Sequence, residues 1–212
     1  MRKTQFANGE FYNVYNRGVD KRSIFLDKWD FDRFLKSMEE FNAIDPIGSI
    51  YENSFIKEKP SQKKLVNFIA YCLNTNHFHF LIRQASEQGI EKFMQRLGTG
   101  YTKYFNNRHK RNGILFQGVF KVVHVGSNNY LLHLSSYINL NFRVHKLGSE
   151  ASKLTKSSWE EYASGKEGLC KKDLVLRQFK GAAEYKNFAE GSLKDILGRK
   201  ESLREMESLL LD

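Results

Sequence analysis

A chain of 212 residues, 41% hydrophobic and 27% charged, has room for one domain with a real core plus an appendage, and its composition is that of an ordinary soluble globular protein. Its apolar runs fall far short of a membrane span, its start "MRKTQFANGEFYNVYNRG" has no apolar segment of a secretory signal, and its two cysteines, Cys72 and Cys170, make no CxxC pair or disulfide framework and fit a reducing cytoplasm. Lys plus Arg outnumber Asp plus Glu 34 to 24, and the resulting net charge of +10 points to a polyanionic partner.

In chain order, "GEFYNVYNRG" (9–18) reads as a first strand, with Phe11, Val14 and Tyr15 in a β-rich run closed by Asn-Arg-Gly. "DKWDFDRFLKSMEEFN" (27–42) reads as a helix with Asp27 as N-cap and Phe31, Phe34, Leu35, Met38 and Phe41 at helical spacing. Residues 43–64 are polar and hold both prolines, Pro46 and Pro60, which predicts a long loop. "LVNFIAYCL" and "HFHFLIR" follow as two strands joined by the turn "NTN".

A second helix is expected over about 89–107, with Ile90, Phe93, Met94, Leu97 and Tyr101 on one stripe. Gly98 and Gly100 weaken it unless another part of the chain approaches closely there. "ILFQGVFKVVHV" (114–125) predicts a strand pair or one long bent strand, and Ser127 caps a third helix that runs to about Asn141. Residues 148–212 are charged, helix-prone and poor in aromatics after Phe188, which marks a C-terminal appendage. The order β-α-β-β-α-β-α, with short links between the paired strands, predicts an α+β fold: an antiparallel sheet with helices packed on it.

Three stretches carry chemistry. In "LNTNHFHFLI" (73–82) strand alternation puts His77, His79 and Leu81 on one face and Phe78, Phe80 and Ile82 on the other. The two imidazoles stand side by side, their Cα atoms roughly 7 Å apart by strand rise, which suits two ligands of one metal ion or, equally, two histidines on a half-solvated face. In "KYFNNRHKR" (103–111) bases alternate with flat rings and no acid intervenes. This composition serves phosphate attraction and base stacking in a single-strand binder, and also serves a basic helix end. In "NNYLLHLSSYINLNFRVHKLG" (128–148) Leu131, Leu134, Ile138 and Phe142 form the apolar stripe, and Tyr130, Tyr137 and Asn141 lie on its flank. Tyr137 and Asn141 are one turn apart, at the edge of a cleft or as a packing tyrosine and a capping asparagine.

The run "YCLNTNHFHFLI", "FMQRLGTGYTKYFNNR", "GILFQGVFKVV" and "YLLHLSSYINLN", in that order over residues 9–147, resembles the HUH single-tyrosine transposases of the IS200-like superfamily, closest to the REP-associated tyrosine transposases. Two departures are visible: Thr75 where the family often has Pro, and Phe142 after Asn141 where it usually has Asn-Pro. The resemblance implies a ferredoxin-like catalytic domain over 1–147 followed by the appendage at 148–212. It implies metal-dependent cleavage and strand transfer of single-stranded or hairpin DNA, that is, transposition and recombination, through a 5′-phosphotyrosine.

It further implies Tyr137 as nucleophile, and His77, His79 and Asn141 as ligands of a divalent ion, Mg or Mn. Candidates for DNA contacts are Arg17, Lys21, Arg22, Arg96, Tyr101, Lys103, Tyr104, Arg108, Lys110, Arg111 and Lys121. The expected state is a cytoplasmic monomer or homodimer with no membrane partner. A non-catalytic binder of DNA hairpins and a metal-dependent hydrolase without a covalent step are the other readings, and substitution of Tyr137 separates them.

Overall fold

The computed structural model describes residues 5–56, 62–144 and 154–209, the last stretch as backbone alone beyond Gly198. Five strands form one antiparallel sheet: β1 (Phe11–Arg17), β2 (Val66–Asn74), β3 (His77–Gln84), β4 (Lys121–His124) and β5 (Lys156–Ser157), in the order β4-β1-β3-β2-β5. The expected antiparallel α+β architecture is present. β2 and β3 form a hairpin turned by Thr75 and Asn76. The Thr75 carbonyl accepts the N–H groups of Ile24 and Phe25 at 2.8 and 3.0 Å, and the Asn76 carbonyl accepts that of Gly18 at 2.8 Å. The loop after β1 is thereby tied to the tip of the hairpin.

Two long helices cover one face: α1 (Lys28–Glu40) and α3 (Gly89–Arg108). The Asp27 carboxylate accepts the N–H of Asp30, as an N-cap should. The stripe residues Ile90, Phe93, Met94, Leu97 and Tyr101 are all buried. Phe34 lies 5.5 Å from Phe78 and 4.7 Å from Tyr101, and Phe93 lies 5.5 Å from Phe68, ring centre to ring centre. A Cβ at Gly100 would stand 2.6 Å from the Phe41 ring, so this glycine permits the close approach of the α1 end to α3. Gly98 has nothing comparable within 4 Å.

Three expectations are corrected. The loop at 43–64 contains a helical turn, α2 (Ile50–Asn53), capped by Ser49. The run at 114–125 is a strand only from Lys121, because Gly113 and Gly118 take positive φ (86° and 64°) and turn the chain before it can extend. The third helix, α4 (Asn128–Asn139), starts at the expected Ser127 cap but stops short of Asn141. Leu140 leaves helical geometry (φ −106°, ψ 11°), and a separate turn, α5 (Asn141–Val144), follows. The Ser135 and Ser136 hydroxyls both bond back to the Leu132 carbonyl, a contact that bends helices.

Beyond residue 153 the chain forms β5, α6 (Trp159–Ala163), α7 (Asp173–Leu176) and α8 (Ala182–Leu209). The helix-prone reading of this segment did not contain β5, which pairs with β2 at Cys72 and Leu73. Tyr162, Val175, Tyr185 and Ala189 join the same core as the sheet. The Tyr162 hydroxyl donates to the Ile69 carbonyl at 2.6 Å. Among the described residues no helix is long and apolar enough to cross a membrane.

Candidate functional site

Directly opposed residues of antiparallel strands point to the same face. Tyr15 of β1 stands opposite His79 of β3 and opposite Lys121 of β4, and Cys72 of β2 stands opposite His79. One row across the sheet is therefore Lys121, Tyr15, His79, Cys72. The next is Arg17, His77, Asn74. These rows lie on the face away from α1 and α3, and α4 packs over them. Tyr15 stacks on His79 at 5.3 Å, His77 stands edge-on to His79 at 5.3 Å, and Tyr137 of α4 approaches His79 edge-on at 6.0 Å.

The histidine pair, Tyr137 and three bases, Arg17, Lys21 and Lys121, line one cleft of about 480 Å³, together with Tyr15, Asn16, Asn76 and Gln117. Lys21 and its neighbour Asp20 hold positive φ (59° and 54°), a costly backbone for non-glycine residues, in the turn that projects Lys21 to the cleft.

The hydrogen bonds assign the His77 tautomer. Nδ1 lies 2.6 Å from Asn76 Oδ1, which can only accept, so Nδ1 carries the proton. Nε2 then presents its lone pair toward Asn74 Nδ2 at 2.9 Å and Asn141 Oδ1 at 3.3 Å. An outer partner that fixes the ring of a ligating histidine is the usual support of a metal site. Two ligand atoms at right angles on one Mg²⁺ are roughly 3 Å apart. The spacing of His77 Nε2 and Asn141 Oδ1 matches that requirement. Asn141 is fully buried. No group of three His, Cys, Asp or Glu side chains suits a metal among the described residues. An ion here would be held by mixed imidazole and amide ligands.

Tyr137 is half-buried. Burial pushes its phenol above the ordinary tyrosine value, and the Asn141 amide works against that by favouring the phenolate. Burial likewise lifts the Cys72 thiol to about 12, so the cysteine beside His79 is a neutral packing group. The helix carrying Tyr137 is braced from the C-terminal segment. The Tyr185 hydroxyl meets Ser135 Oγ at 3.0 Å and accepts from Asn139 Nδ2 at 2.9 Å, and Ser158 Oγ donates to Asn139 Oδ1 at 2.5 Å.

The proposed DNA-contacting residues divide sharply. Arg17, Lys21 and Lys121 reach the cleft. Arg22 is instead paired with Asp20 at 3.1 Å. The others belong to α3 and its end, which cover the opposite face. Tyr101 is corrected outright: its ring is in the core and its hydroxyl donates to the Ile24 carbonyl at 2.6 Å, so it cannot stack on a base. Arg108 is corrected as well. Its guanidinium is taken up by Asp27 and by the buried Asp30, both at 2.7 Å.

Arg96 gives its donors to the Ala43 and Ile44 carbonyls. Arg33 covers the Tyr104 ring at 4.8 Å, and Arg111 lies over Phe105 at 5.5 Å. Lys110 is exposed. Lys103 lines a second hollow of about 410 Å³ whose wall includes Asn16 of the cleft. Sequence reasoning missed Asn74, Tyr15, Asn76 and Gln117; only strand register could have pointed to the first two.

Residues 51–141 match the family model described as transposase IS200-like. Among solved structures the chain is similar to a REP-associated tyrosine transposase bound to a REP hairpin, with a TM-score of 0.55 and 12% identity over 80% of this chain and 88% of that one. No curated protein matches the chain.

Proposed function

We propose, on the premise that this chain resembles the IS200-like transposases in sequence and shares the fold of a REP-associated tyrosine transposase, that it binds single-stranded or hairpin DNA and cleaves and rejoins it. The observation that carries the reading is the convergence of His77 and His79 of one strand, β3, and Tyr137 of α4 at a cleft that also holds Arg17, Lys21 and Lys121, with the buried Asn141 of α5 standing 3.3 Å behind His77 Nε2.

The residues present fit a divalent ion, Mg²⁺ or Mn²⁺, at His77, His79 and Asn141. When bound, it would polarise the phosphate and stabilise charge on the leaving oxygen. The chain's own groups do the rest. Arg17, Lys21 and Lys121 supply positive charge for the phosphodiester. The Tyr137 oxygen attacks phosphorus and releases its proton to water in the open cleft. The bond from phosphorus to the 3′-oxygen breaks, and that oxygen takes a proton to become a 3′-hydroxyl. The phosphotyrosine conserves the energy of the broken ester, so a free 3′-hydroxyl can reverse the step and join another strand. Stacking of Tyr15 on His79 keeps the second imidazole from turning away from the cleft.

The test is incubation of the full chain with short hairpin oligonucleotides and Mn²⁺. A 3′ label should migrate with the protein on a denaturing gel, a 5′ label should appear as free short DNA, and Tyr137→Phe should yield no adduct at unchanged DNA affinity. A protein-linked 5′ fragment would reverse the polarity. DNA binding without any adduct would leave a hairpin-binding protein in place of an enzyme.

A further inference from the structure

Asn74 closes β2 directly opposite His77 and is 1% exposed. Its Nδ2 donates to Asn141 Oδ1 at 2.8 Å and lies 2.9 Å from His77 Nε2. A neutral imidazole with its proton on Nδ1 has one lone pair at Nε2. That lone pair is occupied by the Asn74 amide hydrogen. An amide NH₂ between two acceptors presents positive charge to both of them, as a cation would. Without it, His77 Nε2 and Asn141 Oδ1 would face each other across 3.3 Å as two acceptors.

An ion shared by these two atoms and the Asn74 NH₂ compete for the same lone pair. The amide must therefore turn aside when the ion enters. A half rotation of the carboxamide exchanges Nδ2 for Oδ1 within nearly the same volume, so the packed surroundings need not move. The exchange gives up little on the far side, where among the described residues Asn74 Oδ1 has only the weak donor Cys72 Sγ, 3.9 Å away. A carboxamide oxygen is a hard neutral ligand of the kind that Mg²⁺ and Mn²⁺ accept.

We infer that Asn74 is both the placeholder of the divalent ion and, turned by half a rotation, its fourth protein ligand beside His77, His79 and Asn141. The inference rests on the proposed metal site. It explains how two acceptors stay in ligand positions when no ion holds them, and why a buried asparagine stands at a strand end where an apolar residue would pack.

Mn²⁺ affinity of the full chain, measured by the electron spin resonance signal of free Mn²⁺ at fixed pH, tests it with Asn74→Asp, Asn74→Leu and the control His79→Ala. Asn74→Asp should bind Mn²⁺ at least about tenfold more tightly, since added ligand charge raises affinity. The same variant should melt earlier without metal and recover with it, because a carboxylate offers Asn141 no donor. Asn74→Leu should bind about 10–100-fold more weakly, the range for losing a supporting group at a metal site.

In the unsubstituted protein, the Asn74 side-chain amide signals in a ¹⁵N correlation spectrum should shift on saturation with Mg²⁺, a reading that does not depend on any variant folding. Unchanged amide signals together with unchanged affinity in both variants overturn the inference while the metal site stands. A chain that binds no Mn²⁺, or binds it equally after His79→Ala, removes the metal site itself.

Discussion

Two faces of one strand are built on opposite rules. On one, Phe78 and Phe80 stack at 4.6 Å and meet Phe34, Phe68 and Phe93. On the other, His77 and His79 meet Tyr15, Tyr137, Asn74 and Asn141. The aromatic face is held by buried area, which has no direction and adds up contact by contact. The histidine face is held by directed hydrogen bonds, each of small net worth but strict in geometry. The first therefore carries the stability of the sheet. The second holds the side chains of the proposed site in fixed positions.

The largest expected effect follows from that contrast. Phe80→Ala should cost about 3–5 kcal/mol in urea unfolding, as deletion of a buried aromatic does. His79→Ala, at the adjacent residue of the same strand, should cost less than about 1 kcal/mol while removing the proposed metal affinity. Equal losses would show that both faces are structural.

Next is Asn141→Ala. DNA affinity should hold within about twofold while adduct formation falls about 10²-fold, the scale of a misplaced reacting group. A matched fall in both would make Asn141 a packing residue.

A pH measurement sharpens the account of Tyr137. Burial favours its neutral phenol, so its folded pKa lies above the ordinary value. The stability tied to the neutral form is present below the unfolded pKa, near 10, and is lost as pH rises through the folded one. Tyrosinate absorbance, taken as the difference between the chain and Tyr137→Phe without metal, should rise only above pH 10. A midpoint at or below 10 would show that the Asn141 amide outweighs burial.

The smallest effect concerns charge. Arg17→Gln should reduce the slope of log affinity against log salt by about 0.7 on single-stranded DNA. Arg108→Gln should leave it unchanged, because Asp27 and Asp30 already hold that guanidinium. Equal slopes for both variants would mean that the basic end of α3 also meets DNA.

Much of the fold was legible because its signals are local. The Asp27 and Ser127 caps, the period of α1 and α3 and the alternation of β3 each depend on a few neighbouring residues. The end of α4 was not legible. The run "SSYINLNF" keeps helical spacing through Phe142, and the break at Leu140 comes with serine back-bonding and with contacts to Asn74, Ser158 and Tyr185 from distant segments. The split among the basic residues was hidden for the same reason. Arg108 looks like its neighbours in "KYFNNRHKR" until the α1 carboxylates arrive from 78 and 81 positions away.

By itself, the sequence determined the antiparallel α+β class and the shared face of His77 and His79, since both follow from periodicity in short windows. Only the tertiary structure decided that Tyr15, Asn74 and Lys121 join that face, that Tyr101 and Arg108 do not serve it, and that Tyr185 and Ser158 brace the helix behind Tyr137. Strand register and buried ion pairs are set by the joint packing of segments far apart in the chain, where one residue of slip moves every side chain to the other face, and no local pattern encodes that choice.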